Sequence, residues 1–330
     1  MPLSKTDQVL SGDDTGTKVL DLGDAQEGAL AHQIEEELGW KWPKADGTGD
    51  KIGLNVSLLM GRSKEQDPRS LIRFFRTHQG SVGNLLTNLL ERRTPKAGPV
   101  IFQGDLSATN LPSPQIMTMF DLSIAGCGAH ARRPFWRLKD EDPNLCYFML
   151  RGFLALSRIE KRIDLKGRTK KRVLFMRGRY GRMIWQTLYN RCVHATTGSS
   201  PGPYTLVKTT FNEVWPPGSE LYRACKYVIN HFEELTHYLR NPSLAYTNNG
   251  SERALRIEKC MLSGSKFRKT RDGRVVLDIL RTISATCVAA GVGLKDYICW
   301  VGKHGRDLQN YPEKFTPYAY ALHIEENKKA

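Results

Sequence analysis

Ile52, Leu54, Val56 and Leu58 alternate with Gly53, Asn55 and Ser57. A period of two puts every second side chain on one face, so this stretch predicts a half-buried strand that needs a sheet around it. The chain offers the neighbours. Thr17–Leu22 reads as a short strand that begins after Gly12-Asp13-Asp14-Thr15, and Leu71–Arg76 as a third strand. Leu30, Ile34 and Leu38 predict a helix over 25–39, followed by a Gly/Pro/Asp-rich loop over 40–50. Val82, Leu85, Leu86, Leu89 and Leu90 give an amphipathic helix. Pro99–Gly104 is an apolar strand running into Asp105, Leu122–Cys127 is another strand, and Ala129–Leu138 opens a helix. Strands and helices interspersed in this order predict an α/β fold.

From residue 141 to 245 the pattern turns helical. Ala224, Val228, Phe232, Leu235 and Leu239 mark its last long helix, which Asn241-Pro242 ends. A helix carrying Glu252 follows. Val276, Ile279, Leu280, Ile283, Cys287 and Ala290 form a strongly periodic helix that stops at Gly291, and Leu294–Val301 makes a short one. The stretch from Gly302 is polar and reads as a loosely held tail. There is no internal repeat.

At 330 residues and 40% apolar composition the chain suits one large domain, or one domain with a big insertion. Its net charge of +15 favours a polyanionic partner. The charge is concentrated. Arg151 to Arg182 holds twelve lysines and arginines against Glu160 and Asp164, a net of +10, and Lys266, Arg268, Lys269, Arg271 and Arg274 are opposed only by Asp272. Phe175, Tyr180, Trp185 and Phe267 are interleaved with these clusters, as base-stacking residues or as core. None of the seven cysteines forms a C-x-x-C pair, which excludes a zinc ribbon and gives no disulfide framework. Cys225, Cys287 and Cys299 read as small buried hydrophobes in a reducing, cytoplasmic setting. The N-terminus lacks the apolar core of a signal peptide, and no stretch approaches the ~20 apolar residues of a membrane span.

Three carboxylates stand out by position. Asp13, with Asp14 beside it, precedes the first strand. Asp105 ends an apolar strand, where ligands of α/β sheets gather. Glu252 lies about a turn into a helix, with Arg253 beside it and Arg256 one turn on. Carboxylates among arginines suit a metal-dependent enzyme acting on phosphates: the acids hold hard cations and the arginines hold the polyanion. Each acid also has a plain structural reading. Asp13 and Asp14 suit a turn, Asp105 suits a strand-end cap, and Asn249-x-x-Glu252 has capping-box spacing. Glu252 and Arg256 have the i,i+4 spacing of an ordinary helix pair. Spacing alone leaves both readings open.

Several motifs occur together in order. Gly12-Asp13-Asp14-Thr15, followed by Val19-Leu20, resembles the D-E-T-x-x-x-V-L segment of bacterial insertion-sequence transposases. Asp105-Leu106-Ser107-Ala108-Thr109-Asn110 resembles their second aspartate segment. Gly126-Cys127-Gly128-Ala129-His130-Ala131-Arg132-Arg133-Pro134-Phe135 is similar to C-x-A-H-x-R-R-x-F, and Asn248-Asn249-x-x-Glu252-Arg253-Ala254-Leu255 to N-N-x-x-E-R-A-L. Over roughly residues 10–301 the chain resembles the insertion-sequence-66 family of D-D-E transposases, with Thr247 where the family usually has Asp and Gly128 where it commonly has a bulky residue.

The resemblance implies a ribonuclease-H-like α/β fold: a mixed sheet core flanked by helices, with a large helical insertion between the second Asp and the Glu. The expected segments are 1–140 and 246–301 for the core, 141–245 for the basic insertion and 302–330 for the tail. It implies DNA strand cleavage and strand transfer with two Mg²⁺ ions, for which Mn²⁺ substitutes, held by Asp13, Asp105 and Glu252, with Asp14 as the fallback for Asp13. His130, Arg132, Arg133, Arg168, Lys170, Lys171, Arg172, Arg253, Arg256, Lys266 and Arg268 are the residues expected on DNA. The expected partners are transposon ends and target DNA, with a dimer on the DNA, in a bacterial, nucleoid-associated setting. Cys127 and His130 are half a zinc site with no second half at ligand spacing, and read as structural and DNA-proximal. Family members carry a longer segment ahead of the first aspartate, which leaves end recognition in question. The alternatives are a truncated or domesticated DNA-binding remnant without activity and a hybrid nuclease on the same core.

Overall fold

The computed structural model describes residues 8–20, 33, 51–63, 67–93, 98–199, 214–264 and 270–328. In chain order the strands and helices are β1 (Gln8–Leu20), β2 (Lys51–Arg62), β3 (Leu71–His78), α1 (Val82–Glu91), β4 (Val100–Gly104), α2 (Pro114–Met119), β5 (Leu122–Gly126), α3 (Gly128–Arg137), α4 (Pro143–Leu165), α5 (Lys170–Met176), α6 (Arg182–Thr197), α7 (Glu220–Asn230), α8 (Phe232–Thr236), α9 (Asn249–Gly264), α10 (Arg271–Ala290), α11 (Leu294–Gly302), α12 (Gly305–Asn310) and α13 (Pro317–Asn327). The five strands form one mixed sheet in the order β3-β2-β1-β4-β5, consistent with a ribonuclease-H-like core. No single helix among the described residues is long and apolar enough to cross a membrane.

The chain divides into two compact units. The first is Met1–Phe102, Ser107–Ser123 and Gly250–Ala330; the second is Gln103–Leu106 and Ile124–Asn249. In the first, β1 pairs antiparallel with β2 and β2 with β3. Asp13 lies opposite Leu58, and Leu58 opposite Phe75. Cross-strand partners share a face. On that face Val56, Leu58, Met60 and Phe75 are buried with Leu255 of α9, and Ala254 and Ala285 pack against them. The other face belongs to α1. A Cβ on Gly12 would come within 2.7 Å of Val82 and 2.8 Å of Leu59, so only glycine allows that approach.

β3 is an edge strand, and its outward amides need partners. α10 supplies them. The amides of Arg73, Phe75 and Thr77 donate to Thr286 Oγ1 (3.2 Å), Thr282 Oγ1 (3.0 Å) and Asp278 Oδ2 (2.6 Å). Alternate strand residues are about 6.7 Å apart and helix residues four apart about 6 Å, so one helix face tracks one strand edge. Behind it lies a buried ion cluster. Arg274 meets Glu258 of α9 at 3.0 Å and Asp278 at 2.8 Å, Arg281 reaches Glu258, and the Arg274 Nε donates to Thr77. Arg274 and Glu258 are wholly buried.

The second unit is helical. Phe135, Phe153 and Trp185 are fully buried and pack in sequence with ring centroids 6.1 and 5.8 Å apart, the second pair edge-on, and the indole N–H of Trp185 donates to the Tyr238 hydroxyl at 3.1 Å. Arg177 is also fully buried. It pairs with both oxygens of Glu160 at 2.7 Å and donates to the carbonyls of Tyr238, Asn241 and Leu244.

The structure departs from the sequence reading in several places. β1 starts at Gln8, so Asp13 and Asp14 lie inside a strand and not ahead of one. Apart from residue 33, the helix expected over 25–39 and the loop over 40–50 lie outside the described residues. The helix expected through Ala224 and Leu239 breaks at His231, which ends α7 and starts α8. α10 runs to Gly291 as expected, where φ of 71° suits glycine. Its apolar stripe, however, is only partly covered: Val276, Ile279 and Leu280 are exposed while Cys287 and Ala290 are buried, and Thr282, Thr286 and Asp278 lie on β3. The polar tail is packed: Phe315 is buried, its carbonyl accepts from Tyr297, and Arg69 pairs with Glu325. Cys225 and Cys287 are buried, but Cys299 is exposed, because α11 turns Tyr297 inward two residues earlier.

Thr282→Val removes the acceptor for the Phe75 amide while keeping the side-chain shape. We expect it to cost about 1–3 kcal/mol, with Thr282→Ser restoring most of the loss. Urea unfolding of the three proteins measures this, and equal midpoints for Val and wild type would refute the capping role.

Candidate active site

Asp13 and Asp14 are neighbours on β1, so their side chains leave opposite faces of the sheet. Asp14 faces α1 and both its oxygens are engaged there. Oδ1 accepts from the Ser57 hydroxyl, and Oδ2 accepts from the amide of Val82, the first residue of α1, at 2.7 Å. A carboxylate suits that helix start. Ser57 in turn meets His78 Nε2 at 2.7 Å, and His78 Nδ1 accepts from the Gly80 amide at 3.2 Å. The Gly80 bond fixes the tautomer, so Nε2–H donates to Ser57 and Ser57 donates on to Asp14. Burial first, and then the charge of Arg76, pull His78 down to about 4.

Asp13 leaves the other face, shared with Leu58, and is half-buried. Its Oδ1 accepts the Asp14 amide at 2.9 Å. α9 lies over the same face. Leu255 is buried against Val56, Leu58 and Met60, and Ser251 bonds Ser11 Oγ at 3.3 Å, two residues before Asp13. Gly250 sits so close to Met60 that a Cβ would reach its methyl at 3.3 Å. Glu252, half-buried, is thus in the first turn of a helix seated on Asp13's face, and the Glu258–Arg274 cluster anchors that helix lower down. α9 begins at Asn249 itself, so Asn249 is a helical residue and not the cap ahead of the helix. Arg253 and Arg256 are exposed on α9.

Within the second unit, Asp105 follows the end of β4 and is half-buried. Tyr227 on α7 lies near it: burial, then the Asp105 charge, push that phenol up, so it stays protonated. Sequence reasoning missed Tyr227, whose only signal is its place one turn after Ala224 on the inward side of α7. Cys127 caps α3 and is fully buried, its Sγ accepting the Asn248 amide at 3.1 Å. The Gly128 amide donates to the Tyr246 carbonyl at 3.1 Å, and a Cβ on Gly128 would stand 2.3 Å from the Tyr246 ring. The segment leading into α9 is therefore fastened to the start of α3 by Cys127 and Gly128, and the small residue there makes room for Tyr246.

Of the residues expected on DNA, Arg132 and Arg133 are exposed on α3 and His130 is half-buried. Lys170 and Lys171 are exposed at the start of α5. Arg168 pairs with Asp164 (2.7 Å) and Glu160 (3.1 Å), and Arg172 folds back onto the carbonyls of Lys166 and Gly167. Lys266 and Arg268 lie outside the described residues.

The sequence pattern described as "Transposase IS66 family" matches residues 113–275. Over those residues the chain is similar to the IS66 transposase family. The match contains the Cys127–Phe135 and Asn248–Arg256 motifs, and with them Glu252; Asp13 and Asp105 precede it. This match supports a transposase function, and with it a nuclease or transferase enzyme acting on DNA. No curated protein matches the chain.

His78 gives the chain an acid-sensitive joint between β3 and β2. Its pKa of about 4 in the fold is below the ordinary 6.5, so the unfolded chain takes up the proton first as pH falls. The stabilisation is whole above about pH 6.5 and is lost as pH falls towards about 4, amounting to about 3 kcal/mol. Urea midpoints measured across that window should fall more steeply for wild type than for His78→Gln; parallel slopes would exclude this role.

Proposed function

We propose that this chain is a Mg²⁺-dependent DNA transposase in which Asp13, Asp105 and Glu252 hold two metal ions. The observation that carries the reading is the seating of the Glu252 helix on the face of β1 from which Asp13 projects, in a chain that matches the IS66 family. The donor set fits the ions: carboxylate oxygens suit Mg²⁺ or Mn²⁺, hard cations that retain water and phosphate oxygens as further ligands. Asp14 is a poorer candidate than Asp13, because Ser57 and the start of α1 engage its two oxygens.

When bound, the two ions supply Lewis-acid stabilisation of the attacking and leaving oxygens of an in-line phosphoryl transfer. Arg253 and Arg256 on α9, with Arg132, Arg133 and His130 on α3, hold phosphates and orient the scissile bond. Water attack breaks the P–O3′ bond at the transposon end and leaves a 3′-hydroxyl and a 5′-phosphate. That hydroxyl then attacks a target phosphodiester, exchanging one P–O bond for another. A dimer on the DNA would bring the two ends together.

The test is nicking and strand transfer on plasmid DNA with Mg²⁺, by wild type, Asp13→Asn, Asp105→Asn and Glu252→Gln. Each variant should lose more than about a hundredfold in rate, beyond what second-shell changes cost, while keeping its thermal midpoint and its DNA affinity. Wild-type nicking by Glu252→Gln would sink the assignment. Binding without nicking by wild type itself would favour a remnant that holds DNA and does not cut it.

A further inference from the structure

α5, the π turn Arg177–Gly181 and α6 run on as one helix, since Met176, Arg177, Gly181 and Arg182 all keep right-handed helical φ and ψ. Its inward line is Val173, Arg177, Gly181 and Trp185, all buried. Three successive steps of four residues drift around a plain α-helix; the extra residue of the π turn takes up that drift. The opposite line is therefore Lys171, Phe175, Arg179 and Met183, with Tyr180 and Arg182 alongside. Phe175 is 62% exposed, Met183 53% and Tyr180 44%. The charges here have one sign: no acidic residue occurs between Asp164 and Glu213, and among the described residues Lys171, Arg179 and Arg182 have no ion-pair partner.

We propose that this helix face binds DNA at bases that have left the stack, with Lys171, Arg179 and Arg182 on the flanking phosphates and Phe175 stacked on the free base. The proposal rests on the reading of the chain as a DNA-acting enzyme and names the form of DNA this surface takes. A smooth duplex presents phosphates and hides the faces of its bases, so an outward aromatic ring finds no partner there. An unpaired base offers one to any aromatic ring, whatever its sequence. A second copy of the chain is a poor occupant, because two faces of the same strong positive charge repel.

The experiment is fluorescence anisotropy with the full chain, on a smooth duplex and on the same duplex carrying a short run of unpaired thymines. Wild type should prefer the unpaired site by about tenfold, the scale of one base–aromatic stack. Phe175→Ala should bring that ratio to about one, and Phe175→Tyr should restore it. Lys171→Ala with Arg182→Ala should weaken binding to both DNAs and flatten its salt dependence. A wild-type ratio near one, or a preference that survives Phe175→Ala, overturns the proposal and leaves the DNA-acting reading standing. Failure to bind either DNA overturns that reading as well. Dimerisation that Phe175→Ala abolishes would make this face a contact between copies and would also overturn it.

Discussion

An edge strand with unpaired amides is the constraint on which the first unit turns. β3 directs the amides of Arg73, Phe75 and Thr77 away from the sheet, and α10 meets them with Thr286, Thr282 and Asp278. Once a helix is committed to that task, its inward side must be polar. The same side carries Arg274, and a buried guanidinium needs acids around it. Asp278 supplies one and Glu258 of α9 the other. The cluster thus ties α9 to α10 and α10 to the sheet. Leu255 lies three residues before Glu258, and Glu252 three before that, so the seating of the helix on Val56, Leu58 and Met60 is fixed from both sides. The position of the candidate glutamate follows from satisfying a strand edge.

Much of this was legible in the sequence. The alternation around Leu54 gave β2, and short apolar runs gave β3, β4 and β5, because strands buried on one or both faces leave those periods. β1 was mostly hidden. Gly12, Asp13, Asp14 and Thr15 read as a turn, yet all lie in strand, since the oxygens of Asp14 accept hydrogen bonds from donors that only the folded sheet brings near. α10 shows the opposite failure. Its apolar period marked a helix correctly, yet Val276, Ile279 and Leu280 at its start are exposed, because periodicity cannot register the demand of an edge strand for hydroxyls and a carboxylate. The Asp13/Asp14 alternative was undecidable from adjacency. Their opposite faces separate them: one carboxylate caps α1, and the other shares its face with α9.

The motif around Cys127 has a structural task. Its sulfur accepts the amide of Asn248, and Gly128 yields its space to Tyr246. Both contacts fasten the residues just ahead of α9. That gives a physical reason for the two motifs to occur together in one chain: the first holds the lead-in to the helix on which the second places its glutamate.

Net charge, finally, is a poor count of the residues that can face a polyanion. Arg177 and Arg274 are both wholly buried, each surrounded by acceptors, and both serve packing. Arg168 and Arg172 are both turned back onto the end of α4. Removing these from the basic tract leaves a narrower set on one side of the helix that begins at Lys170, and the reason it is narrow is the π turn. Without that extra residue Val173, Arg177, Gly181 and Trp185 would spiral off their common line, Arg177 would leave Glu160, and the outward residues would scatter around the helix. A buried arginine and an exposed basic face are thus two consequences of the same backbone irregularity.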